Sequence, residues 1–495
     1  MMLRLSHTLP LLAALLAAIA PAPALADDAS WYRADALQKA LDRETRSRAY
    51  DGNSVDLLQN GAESFPRRAR NVDGADVTLI KVYNFRDDPA GRALVARLVK
   101  RLRAGKQVIV QFDVKGSVRS PMALFRMLRG KQSPIPKHLQ PILDHGGLLI
   151  PTNAPTTLAE VNPIWGKDHE KYFMTWRAGR ALSTIMGGMN IGDEWATGGT
   201  DKRAEKLHGA HGFRDTDVEV HGPVNRAILA ELMRDARFHL DRYVARFAAR
   251  GAKNTAEVNA LVQTLRGRRA QLATATRAIS RDERAFARQA QNANMRFVAN
   301  KRRLGPRGQY IEKALRMLMK AAPSGSEIAL SNAFFLPTPT FERDLSEAAR
   351  DKRFEMLLNG RDAVESGFRM VARRGRADYR RLMSGKPGDK RGIGITEWHG
   401  DDGRKVSSLH QKLWSFGKSE HAPFGIGSSN LDYHSLRRNS EGLLLIQAPQ
   451  TKRAFDHMLQ RDFRAPKNER LQRDRMPRRI KSLFIKATSL PRSWL

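Results

Sequence analysis

The 495-residue sequence contains no cysteine, and this absence narrows both its chemistry and its means of stabilisation. It excludes disulfide bonds, thiolate nucleophiles, cysteine-ligated zinc and lipid anchors on cysteine. Acidic residues are also scarce: 51 Asp and Glu face 86 Lys and Arg, which gives a formal net charge of +35. An excess of this size favours a polyanionic partner, either nucleic acid or an anionic membrane surface, although an arginine-rich genome produces the same excess without function.

Long apolar runs are absent apart from one at the N-terminus. Leu9 to Ala20 follows Arg4, and an Ala-x-Ala cleavage pattern at Ala24 to Ala26 precedes Asp27, as in a secretory signal peptide. No other run approaches the roughly 20 residues that a membrane-spanning helix requires. We therefore expect residues 1–26 to be removed on export and the protein to be periplasmic or secreted, at most peripheral to a membrane. An uncleaved anchor is the alternative.

Two parts of the chain carry the same order of predicted elements. In the first, the strand patterns Val77 to Val82 and Val108 to Val114 flank the helical pattern Gly91 to Arg103. Strand, helix and strand in this order predict an α/β unit with a parallel strand pair. The second part reads helix, strand, helix, strand from Tyr310 to Leu358 and closes with a strand at Gly442 to Gln447. The sequence therefore predicts a duplicated α/β protein.

A basic segment separates the two parts. Residues 242–303 contain 15 Lys and Arg against 3 Asp and Glu, and no proline. We predict one or two long helices here, either a solvated spacer or a basic arm that binds anionic phosphates. The predicted organisation is a signal peptide (1–26), a first half (27–241), a basic helical insert (242–305), a second half (306–465) and a basic C-terminal tail (466–495).

One short motif occurs twice, half a protein apart. The first copy is His169-Glu-Lys171 followed by Gly187-Gly-Met-Asn190, and the second is His410-Gln-Lys412 followed by Gly427-Ser-Ser-Asn430. From His to Asn the spacing is 21 residues in the first copy and 20 in the second. Since residues i and i+2 of a strand share one face, each His projects beside its Lys. We interpret the copies as two half-sites of one active site.

The residue types suit cleavage of a phosphodiester without a metal or cofactor. One neutral histidine attacks phosphorus, and a second, protonated histidine gives the leaving oxygen its proton; a pKa near ~6.5 serves both roles. Lys171 and Lys412, with the amides of Asn190 and Asn430, would stabilise the negative charge of the pentacoordinate transition state. Pseudo-symmetry leaves the nucleophile open, and we favour His169, with its counterpart as general acid.

Both motifs resemble the His-x-Lys-(x)4-Asp and Gly-Gly/Ser-x-Asn signature of the phospholipase D superfamily. The string Gly427 to Glu441 is similar to the cardiolipin synthase branch in particular, as are Val55 to Phe65, Phe334 to Pro337 and Asp215 to Pro223. The resemblance covers about residues 50–240 and 306–465. It implies two α-β-α sandwich halves with mixed sheets packed about a pseudo-twofold axis, a phosphohistidine intermediate, and a phospholipid or other phosphodiester substrate.

The sequence departs from this signature at the Asp of each motif, where Trp176 and Gly417 stand instead. Small residues follow each motif in glycine-rich turns that let the backbone approach a ligand. We therefore expect Gly188, Ser428 and Ser429 to contact substrate.

Each histidine also needs an acid that fixes its tautomer by a hydrogen bond. Glu441 is the candidate to hold His410. For His169 the better candidate is Asp215, with Glu219 as the alternative.

Two functions fit these observations. The first is an exported phospholipase D-type enzyme that hydrolyses phospholipid or transfers a phosphatidyl group to an alcohol, with an anionic membrane surface as its partner. The alternative is a metal-independent endonuclease of the same superfamily, for which the positive charge would bind the phosphate backbone. A non-catalytic binding protein is a third. The cardiolipin synthase-like string favours lipid as the substrate. The choice between hydrolysis and transfer stays open. The sequence indicates no protein partner.

Overall fold

The structure is a computed structural model that describes residues 30–118, 120–161, 166–197, 212–360, 363, 369–384, 389–400 and 408–473. The predicted signal peptide and residues 474–495 of the predicted tail lie outside these ranges. Within them, no helix combines the length and the apolar character needed to cross a membrane.

One continuous sheet of 15 strands runs through both halves. The strands of the first half are β1 (Ala49–Gln59), β2 (Val77–Val82), β3 (Gln107–Asp113), β4 (Leu148–Thr152), β5 (Tyr172–Trp176), β6 (Ser183–Gly187), β7 (Phe213–Arg214) and β8 (Thr216–His221). Those of the second half are β9 (Ala293–Asn300), β10 (Glu327–Asn332), β11 (Phe335–Leu336), β12 (Arg353–Asn359), β13 (Gly392–Trp398), β14 (Ser408–Leu409), β15 (Lys412–Phe416), β16 (Phe424–Gly427), β17 (Leu431–Asp432), β18 (Glu441–Gln447) and β19 (Glu469–Arg470). The pairs β7–β14 and β11–β17 lie outside the large sheet.

The sheet order shows the duplication strand by strand. From the centre outward the first half reads β1-β8-β6-β5-β2-β3-β4, and the second reads β9-β18-β16-β15-β10-β12-β13 with β19 at the edge. The predicted parallel pair, β2 with β3, has its counterpart in the parallel pair β10 with β12. The duplicated α/β fold with mixed sheets is confirmed, and antiparallel pairing of β1 with β9 joins the two sheets edge to edge.

Helices cover the sheet, whose inner strands such as β2 are buried on both faces. The first group is α1 (Ser30–Arg33), α2 (Asp35–Thr45), α3 (Asn60–Gly74), α4 (Pro89–Arg103), α5 (Val114–Val118), α6 (Pro121–Leu128), α7 (Gln140–Asp144), α8 (Leu158–Val161), α9 (Asp193–Ala196), α10 (Asn225–Ala248), α11 (Ala256–Arg268) and α12 (Ala270–Arg281). The second is α13 (Ile311–Ala321), α14 (Pro339–Ala348), α15 (Arg369–Leu382), α16 (Tyr433–Arg437) and α17 (Pro449–Phe463). Short 3₁₀ turns lie at Lys137–Leu139, Gly251–Lys253, Glu283–Phe286 and Arg302–Gly308.

The basic stretch 242–305 is helical only in part. Helices α11 and α12 bury Val258, Leu265 and Ile279 in the core of the first half, so they are packed rather than a solvated spacer. Residues 293–300, however, form β9, which is buried along its whole length near the centre of the sheet. The helix prediction is therefore wrong at this end. As the counterpart of β1, β9 places the start of the second repeat before residue 306.

Candidate active site between the two halves

The first motif leaves its own half and pairs with the other one. Asp168 forms a bridge with Ser440, and the amide of His169 donates to the carbonyl oxygen of Ser440 at 2.9 Å. Because Glu441 follows directly at the start of β18, its carboxylate lies beside the imidazole. The Nδ1 atom of His169 is 3.0 Å from Oε1 and 3.1 Å from Oε2 of Glu441.

The second motif makes the equivalent crossing. Strand β14 pairs in parallel with β7, and the amide of His410 donates to the carbonyl oxygen of Arg214 at 2.8 Å. Asp215 follows Arg214, and its Oδ2 atom lies 2.6 Å from Nδ1 of His410. Each histidine is thus bound to an acid from the opposite half.

This arrangement exchanges the two predicted acid–histidine pairs. Glu441 binds His169 and Asp215 binds His410, so both predicted pairings are wrong although both acids belong to the site. Glu219, the alternative acid, accepts hydrogen bonds within the first half instead. The physical reason is the register between the halves, which places each motif against the strand end that precedes the other half's acid.

Carboxylates at both Nδ1 atoms leave the Nε2 atoms of the two histidines for substrate. An imidazole whose Nδ1–H donates to a carboxylate carries its lone pair on Nε2, the atom that can attack phosphorus or exchange a proton. The pairing therefore sets the tautomer that each proposed role requires.

Both lysines are buried beside their own histidines. The ammonium of Lys171 donates to the carbonyl oxygen of His169 at 2.6 Å, and that of Lys412 donates to the carbonyl oxygen of His410 and lies 3.1 Å from its Nδ1. Burial lowers the pKa of Lys171 to about 7 and that of Lys412 to about 8. Two cations held in this way are ready to receive an anionic substrate.

The histidine pKa values show that the two motifs form one site. Burial lowers the pKa of both His169 and His410 well below the usual range, and the ammoniums of Lys171 and Lys412 lower each of them further. Each histidine is thus influenced by the lysine of the opposite half. Near neutral pH the free imidazoles are neutral, in contrast to the ordinary histidine pKa expected from the sequence.

The two acids shift in the opposite direction. Burial raises the pKa of Asp215 and that of Glu441 to about 7, against the lowering influence of Lys412 on the first and of Lys171 on the second. Each histidine–carboxyl pair therefore takes up one proton near neutral pH, and this proton belongs to the pair as a whole. One pair without the proton and one with it would provide a base and an acid in the same site.

The small residues after each motif lie against these carboxylates. A Cβ atom at Gly188 would collide with the carboxylate of Asp215, so only glycine leaves room for the acid. At the equivalent place, the hydroxyl of Ser428 donates to Oε2 of Glu441 at 2.6 Å. The hydroxyl of Ser429 donates to the carbonyl oxygen of the next residue at 3.2 Å. The substrate contacts predicted for these three residues stay predictions.

The two asparagines are both buried beside the site. The side-chain oxygen of Asn190 accepts from the amide of Asn84 at 3.0 Å, which turns the NH₂ group of the side chain away from that contact. The side-chain oxygen of Asn430 is buried and has no hydrogen-bond partner among the described residues. Leaving such an oxygen unpaired costs ~1–3 kcal/mol, so the position suits a ligand that donates a proton, such as a hydroxyl group.

Comparison with known proteins gives partial matches in sequence. No family model matches the chain. Over 192 residues it is 28% identical to cardiolipin synthase A of Pseudomonas putida, a match that covers 38% of this chain and 34% of that protein. Over 188 residues it is 25% identical to the major cardiolipin synthase of Bacillus subtilis, covering 37% and 33%. The matches therefore span about a third of the length of these relatives.

The fold gives a longer match. The crystal structure of phosphatidylserine synthase from Haemophilus influenzae Rd KW20 superposes with a TM-score of 0.57 at 12% identity, covering 91% of this chain and 97% of that chain. The chain is therefore similar in sequence to cardiolipin synthases and shares its fold with this phosphatidylserine synthase. The resemblance inferred from the two motifs is confirmed.

Other groups occupy the two places where the superfamily signature has an Asp. Trp176 donates from its indole Nε1 to Asp282 at 3.0 Å. The carbonyl oxygen of Gly417 accepts from the ammonium of Lys452 at 2.8 Å, and this ammonium also pairs with Asp456. Gly417 has a φ of 127°, a backbone conformation that disfavours a side chain. Acids from elsewhere in the chain thus lie near both positions, while His169 and His410 contact the crossed carboxylates.

Aromatic rings lie beside both histidines. The ring of Tyr83 meets His169 edge to face, with 4.9 Å between centroids. Phe213 and Trp195 lie 4.9 Å and 5.7 Å from the ring of His410. Tyr83 directly follows β2, and the carboxyl ends of parallel strands border binding sites in α/β sheets, so its place in the sequence was a usable signal. The other two are brought in only by tertiary packing.

A buried ionic cluster holds the residues on either side of His169. The ammonium of Lys81 lies 2.9 Å from Asp168 and also pairs with Glu170 and Asp235. Asp168, Asp235 and His239 have the spacing of a metal site, but both carboxylates already share the Lys81 ammonium. In the described part of the chain, a second group with such spacing lies at the sheet edge and consists of Glu397, His399 and Glu469.

Proposed function

We propose that the protein is a phospholipase D-type phosphatidyltransferase that acts on phospholipids through a phosphohistidine, without a metal ion. The observation that carries the proposal is the crossed pair of histidines, each bound through Nδ1 to a buried carboxylate of the other half and flanked by a lysine. The relatives that match in sequence are cardiolipin synthases, which supports phospholipid as the substrate class.

The reaction has two steps. In the first, Nε2 of His169 attacks phosphorus, the bond to the leaving oxygen breaks, and the protonated His410–Asp215 pair gives that oxygen its proton. In the second, the same pair takes the proton of an acceptor hydroxyl, the hydroxyl oxygen attacks phosphorus, and the bond to His169 breaks. The ammoniums of Lys171 and Lys412 stabilise the negative charge on the equatorial oxygens in both steps.

Exposed apolar side chains support a membrane surface as the partner. In the described part of the chain, large apolar residues are exposed at Met122 on α6, Leu158 on α8, Phe238 on α10 and Leu304 in the turn after β9. We call these four residues the apolar rim. Such residues in a protein with a formal net charge of +35 suit insertion into an anionic lipid surface.

The apolar rim follows the course of α10. Arg242 of α10 pairs with Glu160 of α8, the helix that carries Leu158. Helix α6, which carries Met122, packs against α8. Arg303, which precedes Leu304, pairs with carboxylates of α10 in the same way. Phe238 of α10 and the segments that carry Leu158 and Leu304 are therefore connected through arginines, as expected of a surface that meets lipid tails and headgroups together.

The variant L158S/F238S should bind vesicles of phosphatidylglycerol and phosphatidylcholine roughly 10-fold more weakly, because each apolar side chain buried in lipid contributes ~1.5–3 kcal/mol at most. Co-sedimentation with vesicles measures the change. Turnover of a soluble short-chain phospholipid serves as the control and should stay within twofold of the parent. Unaltered vesicle binding would show that the apolar rim does not contact lipid.

We also propose export, supported by the signal-peptide pattern of residues 1–26, with the protein acting peripherally at a membrane. Fractionation of cells that express the full chain, followed by N-terminal sequencing, tests this proposal. Recovery in the cytoplasm with the original N-terminus would contradict it.

The central experiment incubates the protein with phosphatidylglycerol vesicles and, separately, with plasmid DNA, both in EDTA. We expect cardiolipin or phosphatidic acid from the lipid, intact DNA, and no lipid product from His410→Ala. The lipid product distinguishes transfer from hydrolysis. Cleaved DNA beside untouched lipid would favour the endonuclease instead, and activity that EDTA removes would refute the metal-free mechanism.

A further inference from the structure

Three cationic side chains lie beside the catalytic pair without belonging to it. They are Lys115, Lys167 and Arg302, and we call them the second cationic cluster. Lys167 precedes the bridge between the halves: its amide donates to Asn439 at 2.8 Å and its carbonyl oxygen accepts from the amide of Ser440 at 2.9 Å. The amide of Arg302 donates to the hydroxyl of Ser440 at 3.4 Å. The backbones of both residues are thus attached to the junction that positions His169.

The ring of Tyr83 connects this cluster to the catalytic site. The ammonium of Lys167 lies 5.6 Å from the ring centroid, and that of Lys171 lies 5.7 Å from the same centroid. A catalytic lysine and a lysine of the second cluster therefore flank one aromatic ring, whose edge meets His169. An anion at the second cluster would lie next to the reacting phosphate.

The third member is attached to the same junction. Lys115 is buried, two residues after Asp113, whose carboxylate accepts from the amide of Asp168 at 2.7 Å. Burial lowers the pKa of Lys115 to about 8; the charge of Asp113 opposes this shift, and the charges of Arg302 and Lys167 contribute to it. The three cations are therefore close enough to repel one another.

Among the described residues, Lys167 and Arg302 lack the ion pairs that neighbouring cations form. Lys301 and Arg303, on either side of Arg302, form ion pairs with Glu231. Within the described residues, no carboxylate oxygen lies within 4 Å of the charged nitrogens of Lys167 or Arg302. Of the nearest acids, Glu160 pairs with Arg242, and Asp113 accepts from the backbone and from Asn153. Tyr83, followed by the charges of Asp432 and Asp113, raises the pKa of Lys167 against the effect of burial, so this ammonium stays charged without an ion pair of its own. Cations gathered in this way suit an anionic ligand.

We propose that the second cationic cluster binds the phosphodiester of the acceptor lipid while the donor phosphate reacts at His169. This inference rests on the proposed transferase function and specifies its acceptor. An acceptor such as phosphatidylglycerol carries its attacking hydroxyl only a glycerol unit away from its own phosphate. Binding that phosphate beside the first site holds the hydroxyl near phosphorus and favours transfer over attack by water.

The test compares two acceptors with the same donor. Phosphatidylglycerol vesicles form cardiolipin when a second lipid accepts, and they exchange their headgroup when labelled glycerol accepts, which carries no phosphate. In Lys167→Gln and in Arg302→Gln we expect the ratio of cardiolipin formation to glycerol exchange to fall about 10-fold, the size of one lost charge-assisted contact. Arg307→Gln, which removes an exposed charge from the same turn, should leave the ratio unchanged, and Lys167→Arg should restore most of it.

The outcomes separate the inference from the function on which it rests. An unchanged ratio in Lys167→Gln and Arg302→Gln would refute the acceptor site, and so would an equal fall in both reactions, which would assign the cluster to the donor phosphate or to folding. If the parent protein carries out neither reaction, the proposed function itself fails. Inorganic phosphate should inhibit cardiolipin formation more than glycerol exchange in the parent protein and lose this selectivity in Arg302→Gln.

Discussion

Replacing His169 by alanine should lower turnover of phosphatidylglycerol at least ~10⁴-fold, because the substitution removes the proposed nucleophile, on which both steps depend. No phosphoenzyme should form with any donor. His410→Ala should lose a comparable amount on phosphatidylglycerol, whose glycerol leaving group needs a proton. With a nitrophenyl phosphodiester, whose leaving group departs without one, His410→Ala should still form the phosphoenzyme and then hydrolyse it slowly.

The measurement is a rapid quench in alkali, in which a phosphohistidine survives, with a donor labelled in the phosphatidyl group. Exposed His145 provides the control, since His145→Ala should behave as the parent. Label retained by His169→Ala and absent from His410→Ala would reverse the two assigned roles. Absence of label from the parent and from His410→Ala under all conditions would contradict a covalent intermediate.

The sequence predicted which histidines and lysines lie side by side at the candidate site, because their pattern is local. His169 and Lys171 share a strand face through the backbone alone, and the same applies to His410 and Lys412. The partners of the two acids could not be predicted in this way. Whether Asp215 meets one histidine or the other depends on the pairing of β7 with β14, a contact between segments almost 200 residues apart. No local pattern records that register.

The sequence analysis did not predict the central strand β9, for a related reason. Its residues, Ala293 to Asn300, lie in a stretch whose overall composition is basic and suggests helix, yet every one of them is buried. A strand of this length is decided by its neighbours β1 and β18 more than by its own propensity. The duplicated order predicted a counterpart to β1, and placing it required the sheet.

Because the pairing is crossed, variants of the two acids should differ in how their activity depends on the leaving group of the donor. Asp215→Asn should lower turnover of phosphatidylglycerol roughly 10²- to 10⁴-fold, because the amide no longer stabilises the protonated His410 that serves the leaving oxygen. Formation of the phosphoenzyme from a nitrophenyl donor should be nearly unaffected, since that leaving group needs no proton. Glu441→Gln should slow formation of the phosphoenzyme from both donors, because Glu441 positions the nucleophile His169.

The pH profile gives an independent measurement of the same assignment. Burial holds the pKa of Asp215 and that of Lys171 at about 7, so raising the pH through this range removes the proton of the acid pair and the charge of the lysine. Turnover of phosphatidylglycerol should therefore fall on the alkaline side, beginning near pH 7. In Asp215→Asn the contribution of the acid pair disappears, and the remaining fall should follow the lysines alone.

The pairing expected from the sequence, Asp215 with His169 and Glu441 with His410, predicts the reverse result for the two acid variants. If Asp215 served His169, Asp215→Asn would slow formation of the phosphoenzyme from the nitrophenyl donor, and Glu441→Gln would spare it. Ser428→Ala is the matched control for Glu441, because it removes one hydrogen bond to that carboxylate and leaves the charge in place. It should shift the reaction in the same direction as Glu441→Gln by about 10-fold or less, as expected when a buried carboxylate keeps its contact with the histidine.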